Sequence, residues 1–133
     1  MPYEIRWYED KRIIFEQLYG DLDMSAVIEA ANATEQHIKQ GNAPVHLVID
    51  VSGMKSFPTN MTKINSVSGY LKDPNLGWVV LVGGNPLTNF VTQVVSQVVR
   101  FRVGQRPTLE QAIEFLRKQD ATLNGEKTPS PAT

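Results

Sequence analysis

Hydrophobic residues in this chain fall into two rhythms. Short unbroken runs alternate with stripes spaced three and four residues apart, which predicts strands alternating with helices. Val45 to Ile49 is the first unbroken run, and it ends in Asp50-Val51-Ser52-Gly53-Met54. Trp78 to Val82 is the second, bracketed by Gly77 and Gly83. Continuous apolar runs are characteristic of strands buried on both faces, so these two are expected to lie parallel and adjacent, joined through one helix. The opening differs. Tyr3 to Glu9 and Arg12 to Tyr19 are rich in aromatic and β-branched residues around the charged turn Asp10-Lys11, the pattern of an antiparallel hairpin that Gly20 closes.

The helical stripes fill the gaps. From Asp23 to Lys39, Met24, Val27, Ile28, Ala31 and Ile38 keep a helical period with one interruption at Thr34-Glu35, and Gly41 ends it. Thr59 to Leu71 carries Met61, Ile64, Val67 and Leu71 between Pro58 and Asp73-Pro74, a second helix with Thr59 as its expected N-cap. The clearest stripe runs from Leu87 through Phe90, Val91, Val94, Val95 and Val98 to Val99, with Asn85 as N-cap and Pro86 in the first helical position. Phe101-Arg102-Val103 reads as a short edge strand, and the capping box Thr108-Leu109-Glu110-Gln111 opens a last helix through Lys118. The end of the chain, from Leu123 on, is rich in Pro, Ser, Thr, Asn and Gly and is expected to be disordered. The fold class is α/β.

Size and charge narrow what such a domain does. With 133 residues and 41% hydrophobic content, the chain builds one core and no second domain of ordinary size. Thirteen Lys and Arg against 14 Asp and Glu leave a net charge of -1, so nothing draws the chain as a whole toward nucleic acid or anionic lipid. The absence of cysteine excludes disulfides, thiol nucleophiles and cysteine metal sites. No apolar run approaches the roughly 20 residues of a membrane span, and no secretory pattern opens the chain, so the expected location is the cytoplasm. The glycosylation-like triplets at Asn32 and Asn60 are read as chance.

Few residues suggest chemistry. Asp50 closes the central strand, where open α/β sheets place functional loops, but a lone carboxylate there is expected to cap the following turn. His46, inside an apolar strand, reads as a core histidine bonded to backbone, and His37 as solvent-exposed. Two separated histidines do not make a zinc site. Gly83-Gly84-Asn85 at a strand-to-helix junction offers backbone amides to an anion, yet it lacks the phosphate-loop patterns and reads first as a turn. Arg100, Arg102 and Arg106 with Phe101 are read as charges guarding an edge strand, not as a nucleic-acid contact. No catalytic group, metal or cofactor is assigned.

The order β-β-α-β-α-β-α-β-α resembles the STAS superfamily of anti-sigma-factor antagonists, and more closely the SpoIIAA-like family, in which STAS and CRAL-TRIO lipid-binding folds are related. The resemblance is carried by Leu18-Tyr19-Gly20-Asp21-Leu22, by Pro44 to Met54, by Leu76-Gly77-Trp78-Val79-Val80 and by Thr108 to Leu116. It implies a single STAS-like domain over residues 1–120, a mixed five-stranded sheet with about four helices mainly on one face, and a tail at 121–133. It further implies a non-catalytic regulatory module of bacterial signalling that binds a protein partner, with a second copy of the chain as one candidate. The loop after the central strand, with Asp50, Ser52, Met54, Phe57, Thr59 and Asn60, is the expected contact surface. The alternative is a small apolar-ligand or lipid-binding domain of CRAL-TRIO type. One departure stands out: where the family carries an acid and a phosphorylated serine in an Asp-Ser-Ser-Gly turn, this chain has Pro58 and Asn60.

Overall fold

The computed structural model describes residues 2–124, which form one mixed sheet of five strands in the order β1-β2-β3-β4-β5. The strands are β1 (Tyr3–Glu9), β2 (Ile13–Asp21), β3 (Val45–Ser56), β4 (Leu76–Val82) and β5 (Val103–Arg106). β1 and β2 form the antiparallel hairpin, and β2, β3, β4 and β5 pair parallel in succession. The helices are α1 (Met24–Gln40), α2 (Met61–Val67), α3 (Pro86–Val99) and α4 (Leu109–Gln119), with 3-10 turns at Gly69–Lys72 and Ala121–Asn124.

Because each crossover moves the chain one strand further in the same direction, the connecting helices fall on one side of the sheet. Ile14, Leu47, Ile49, Val79 and Leu81 face that side and pack against Ala30 and Ile38 of α1 and Val91 and Val95 of α3. The alternate residues Ile13, Phe15, Val48, Val80 and Val82 face the other side, where α4 covers them with Ala112, Ile113 and Leu116. This is why the two central runs are continuously apolar: each strand is roofed on both faces.

Several boundaries differ from the sequence reading. β3 continues beyond Ile49 to Ser56, because the end of β2 keeps pairing with it, Gly20 beside Met54 and Asp21 beside Ser56. The second helix is shorter than expected and is capped by Asn60, whose side chain accepts from the Lys63 amide, not by Thr59. Phe101 and Arg102 lie in the turn after α3, so the last strand is shifted to Val103–Arg106. The Arg102 guanidinium is turned inward and donates to the carbonyls of Leu76 and Gly77 at 2.6 and 2.7 Å, while Arg106 stacks over the Phe115 ring at 4.3 Å. Neither is spare for a nucleic acid. Of the tail expected at 121–133, residues Ala121–Asn124 form a 3-10 turn with Leu123 buried; the rest lies outside the described residues.

Candidate functional site

The carboxyl ends of β3 and β4 bring two of the expected segments together. Asp50 Oδ1 accepts from both the amide and the hydroxyl of Ser52, at 2.9 and 2.6 Å, so the lone carboxylate organises its own strand end. Gly83 lies against this corner with φ at +144°, and a Cβ there would stand 2.5 Å from Thr88 Oγ1 and 3.4 Å from the Ser52 amide. Only glycine fits both the angle and the space. Asn85 caps α3, its side-chain Oδ1 accepting from the amide and the hydroxyl of Thr88. Pro86 has no amide proton and the Thr88 amide is taken, so the Gly83-Gly84-Asn85 turn spends its best donors on its own helix.

Beyond this corner the six expected contact residues separate into two sets. Ser52, Thr59 and Asn60 are exposed, together with Lys55 and Ser56, and Asp50 is half-buried. Ser56 donates to Asp21 at 2.8 Å. Met54 does not belong on this surface: it lies on β3, not on a loop, and its side chain is buried in the sheet core. Alternation along an extended strand turns it inward while its neighbours Gly53 and Lys55 face out. Phe57 is half-buried and meets Phe90 edge-on with ring centroids 5.9 Å apart. The exposed face is therefore polar, with Lys55 and Lys63 as its cations.

Beneath Phe57, between the sheet and the helices α1 to α3, lies a cavity of about 60 Å³. Its walls are apolar except for Glu16, Ser68 and Tyr70. Glu16 is only 3% exposed. It sits on β2 between Ile14 and Leu18, on the face that looks toward α1, and Thr34 of α1 donates to its Oε1 at 3.1 Å. Burial pushes this carboxyl up to about 7, against the Thr34 hydrogen bond, which favours the charged form. Burial and the nearby Glu16 raise the Tyr70 hydroxyl in turn.

At the opposite end of the strands, His46 is buried and uses both ring nitrogens. The Trp78 amide donates to Nδ1 at 2.9 Å, which leaves the proton on Nε2, directed at Asp120 Oδ2 at 2.8 Å. Gly77 makes this possible, since a Cβ there would stand 2.5 Å from His46 Nδ1. Arg12 binds the same Asp120 oxygen at 2.9 Å and Thr122 at 3.0 Å. Burial lowers the His46 pKa, so the ring is a neutral donor at neutral pH. Partial burial opposes charge on Asp120, but the hydrogen bonds from Thr122 and His46 prevail and hold it below the usual carboxylate range. The backbone bond expected of His46 is present; the ion pair beneath it was not foreseen. His37, expected in solvent, is half-buried, with its ring 5.3 Å from that of Trp7 and Nδ1 donating to the Ala33 carbonyl. No cluster of metal-binding side chains occurs among the described residues.

Solved structures share the fold. The anti-sigma factor antagonist SpoIIAA in its unphosphorylated form superposes with a TM-score of 0.57 at 17% identity, over 86% of this chain and 97% of that one. The chain has a SpoIIAA-like STAS fold. An uncharacterised protein of the DUF3478 family from Shewanella loihica, itself with a SpoIIAA-like fold, matches with a TM-score of 0.63 at 14% identity, over 86% and 91% of the two chains. A STAS-domain anti-sigma-factor antagonist from Planctomyces limnophilus matches at 0.59 and 18%, over 84% and 96%. No family model and no curated protein matches the sequence.

Signals for the missed residues were present in the sequence. Glu16 breaks the alternation of Ile14 and Leu18 on one face of β2, and Thr34 interrupts the stripe of α1. Each break answers the other. Asp120 carried no comparable signal, because it meets His46 across 74 positions of sequence.

Proposed function

We propose that this chain is a non-catalytic regulatory module that binds a protein partner through the polar surface formed by Ser52, Lys55, Ser56, Thr59 and Asn60. The SpoIIAA-like STAS fold supports this reading, since the solved proteins it resembles are named as anti-sigma-factor antagonists. The observation that carries it is local. An extended β3 carries Ser52, Lys55 and Ser56, and a short connection to the capped helix α2 presents Thr59 and Asn60 beside them at the carboxyl end of a central strand. Ser52 and Ser56 donate to Asp50 and Asp21, so the Thr59 hydroxyl, the Asn60 amide group and the ammonium of Lys55 are the donors a partner's acceptors fit. The apolar-ligand alternative receives less support, because a carrier encloses roughly 300 Å³ or more and the cavity under Phe57 measures about 60 Å³.

Photo-crosslinking in the native cell tests the proposal. A benzophenone side chain at Thr59 or Lys55 is expected to capture one defined protein, and the same group at Glu114 on α4 is not. Equal labelling from both sites, or none from Thr59 and Lys55, overturns it.

A further inference from the structure

The outer edge of the sheet raises a separate question. β1 hydrogen-bonds only to β2, and no other strand among the described residues pairs with it. The carbonyl of Pro2 accepts from the Tyr19 amide at 2.8 Å, which fixes the phase of the strand: Pro2, Glu4 and Arg6 turn their backbone groups toward β2. The amides and carbonyls of Tyr3, Ile5 and Trp7 consequently point outward along the open edge. The pairing with β2 is regular from Tyr3 to Trp7 and shifts only between Trp7 and Glu9, so this edge carries no bulge in its middle. Such an edge is a template for another strand.

We propose that the partner strand is β1 of a second copy, paired antiparallel about a two-fold axis at Ile5, so that two sheets join into one of ten strands. The sequence Tyr3-Glu4-Ile5-Arg6-Trp7 is self-complementary in this register. Ile5 faces the partner's Ile5, Tyr3 faces the partner's Trp7, and these are the residues whose backbone groups look outward. Between them Glu4 stands opposite the partner's Arg6, and Arg6 opposite the partner's Glu4. Both fall at non-hydrogen-bonded positions, where side chains of an antiparallel pair approach most closely.

Charge selects this register over its neighbours. Sliding the two strands by one residue pair in one direction sets Glu4 against the partner's Glu4, and in the other direction Arg6 against the partner's Arg6. Like charges directly opposite are destabilising, so only the register centred on Ile5 satisfies both ion pairs. Arg6 is already held on this face, over the Phe15 ring at 4.7 Å and donating to Gln17 at 3.4 Å, which limits the freedom it has left to lose on pairing. Exposed Tyr8 then comes opposite the partner's Pro2, which needs no outward amide because its backbone already faces β2. The interface lies away from the carboxyl end of β3 and is independent of the function proposed above.

Sedimentation over a concentration series tests the pairing with four proteins: the unsubstituted chain, Glu4→Arg, Arg6→Glu, and the double variant Glu4→Arg/Arg6→Glu. The unsubstituted chain is expected to pass from monomer to dimer as concentration rises. Each single variant is expected to weaken the dimer by about tenfold or more, because both symmetry-related ion pairs become repulsions at once. The double variant restores opposite charges and is expected to recover the original dimer constant to within about threefold. That recovery separates the proposal from a folding defect, which exchanging the two charges has no reason to cure. A chain that stays monomeric at every concentration overturns the proposal. So does a double variant as weak as the singles, or a dimer that none of the substitutions shifts.

Discussion

Thr34 and Glu16 are hydrogen-bonded to each other inside the core, at 3.1 Å, from opposite sides of the layer between α1 and the sheet. The same Thr34 hydroxyl lies 2.8 Å from the Ala30 carbonyl. A hydroxyl has one proton and cannot serve both acceptors at full strength. Shared with the Ala30 carbonyl, the Thr34 hydroxyl gives the Glu16 carboxylate only part of what it needs in the core. Burial, the largest effect, favours the neutral acid, and the Thr34 hydrogen bond, which favours the charged form, offsets it only in part.

This has a measurable consequence for stability. Glu16 holds its proton up to about pH 7 when folded and releases it near its ordinary value of 4.5 when unfolded. Between those limits the folded state binds more protons than the unfolded one, so stability falls as pH rises and reaches its full penalty above about 7. The difference corresponds to about 3 kcal/mol. Glu16→Gln, which keeps an acceptor for Thr34 and cannot ionise, is expected to match the original protein at pH 4.5 and to exceed it by about 2–3 kcal/mol at pH 8. Urea unfolding at the two pH values checks this; equal stabilities at pH 8 would sink it.

His46 acts with the opposite sign. Its folded pKa lies below 6.5, so once the pH drops under 6.5 the unfolded ring takes up a proton that the folded ring refuses, and stability falls toward acid. Asp120, also lowered, adds to that loss at lower pH. In the original protein the Glu16 and His46 slopes overlap and partly cancel. In Glu16→Gln only the acid-side loss remains, so a monotonic rise of stability from pH 4.5 to 7 is expected there. Asp120→Ala, which strands the His46 ring proton and an Arg12 donor, is expected to cost about 2–3 kcal/mol at pH 7. A loss under half a kcal/mol, by the same unfolding measurement, would show water replacing the carboxylate without penalty.

The fold was legible because its signals are local and redundant. The runs at Val45–Ile49 and Trp78–Val82 fix two central strands, and the capping residues Asn85 and Thr108 fix two helix starts; each lies in the structure where its own pattern puts it. The site was legible only in part. Met54 looked like a loop residue because Gly53 precedes it, and glycine signals a turn; here the strand runs through that glycine, which approaches the Tyr19 ring from β2 instead. Asp120 and Arg12 meet across 108 positions, and no local pattern encodes such a meeting.

Met54 consequently separates stability from binding. Met54→Ser removes a buried thioether and leaves a hydroxyl in an apolar site, with an expected loss of about 3 kcal/mol. Thr59→Ala and Lys55→Ala, both exposed, are expected to change stability by less than about 0.5 kcal/mol while weakening capture of the partner. Melting curves and the crosslinking yield, measured on the same three proteins, separate the two roles. A Met54→Ser variant that melts like the original protein would place this side chain back at the surface.

The last expectation concerns regulation. The resemblance read from the sequence sets Asn60 where the family has its phosphorylated serine, and in the structure its carboxamide caps α2 by accepting from the Lys63 amide at 3.2 Å. The serines nearby are held by acids: Ser52 donates to Asp50 at 2.6 Å and Ser56 to Asp21 at 2.8 Å. A phosphate on either would exchange that bond for repulsion, carrying about -1.5 to -2 charge against a carboxylate at contact distance. Thr59 and Thr62 are exposed hydroxyls with no acid in the hydrogen-bond pattern, and the sequence resemblance sets Pro58 where the family's turn has its acid. The expected state in the native cell is therefore unmodified between Ser52 and Thr62, with Asn60→Ala costing about 1 kcal/mol through the lost cap and Asn60→Asp costing nothing. Intact-mass spectrometry of protein from its own cell checks the first part and thermal unfolding the second. A substantial species one phosphate heavier, mapping to residues 52–62, would restore phosphorylation as the switch.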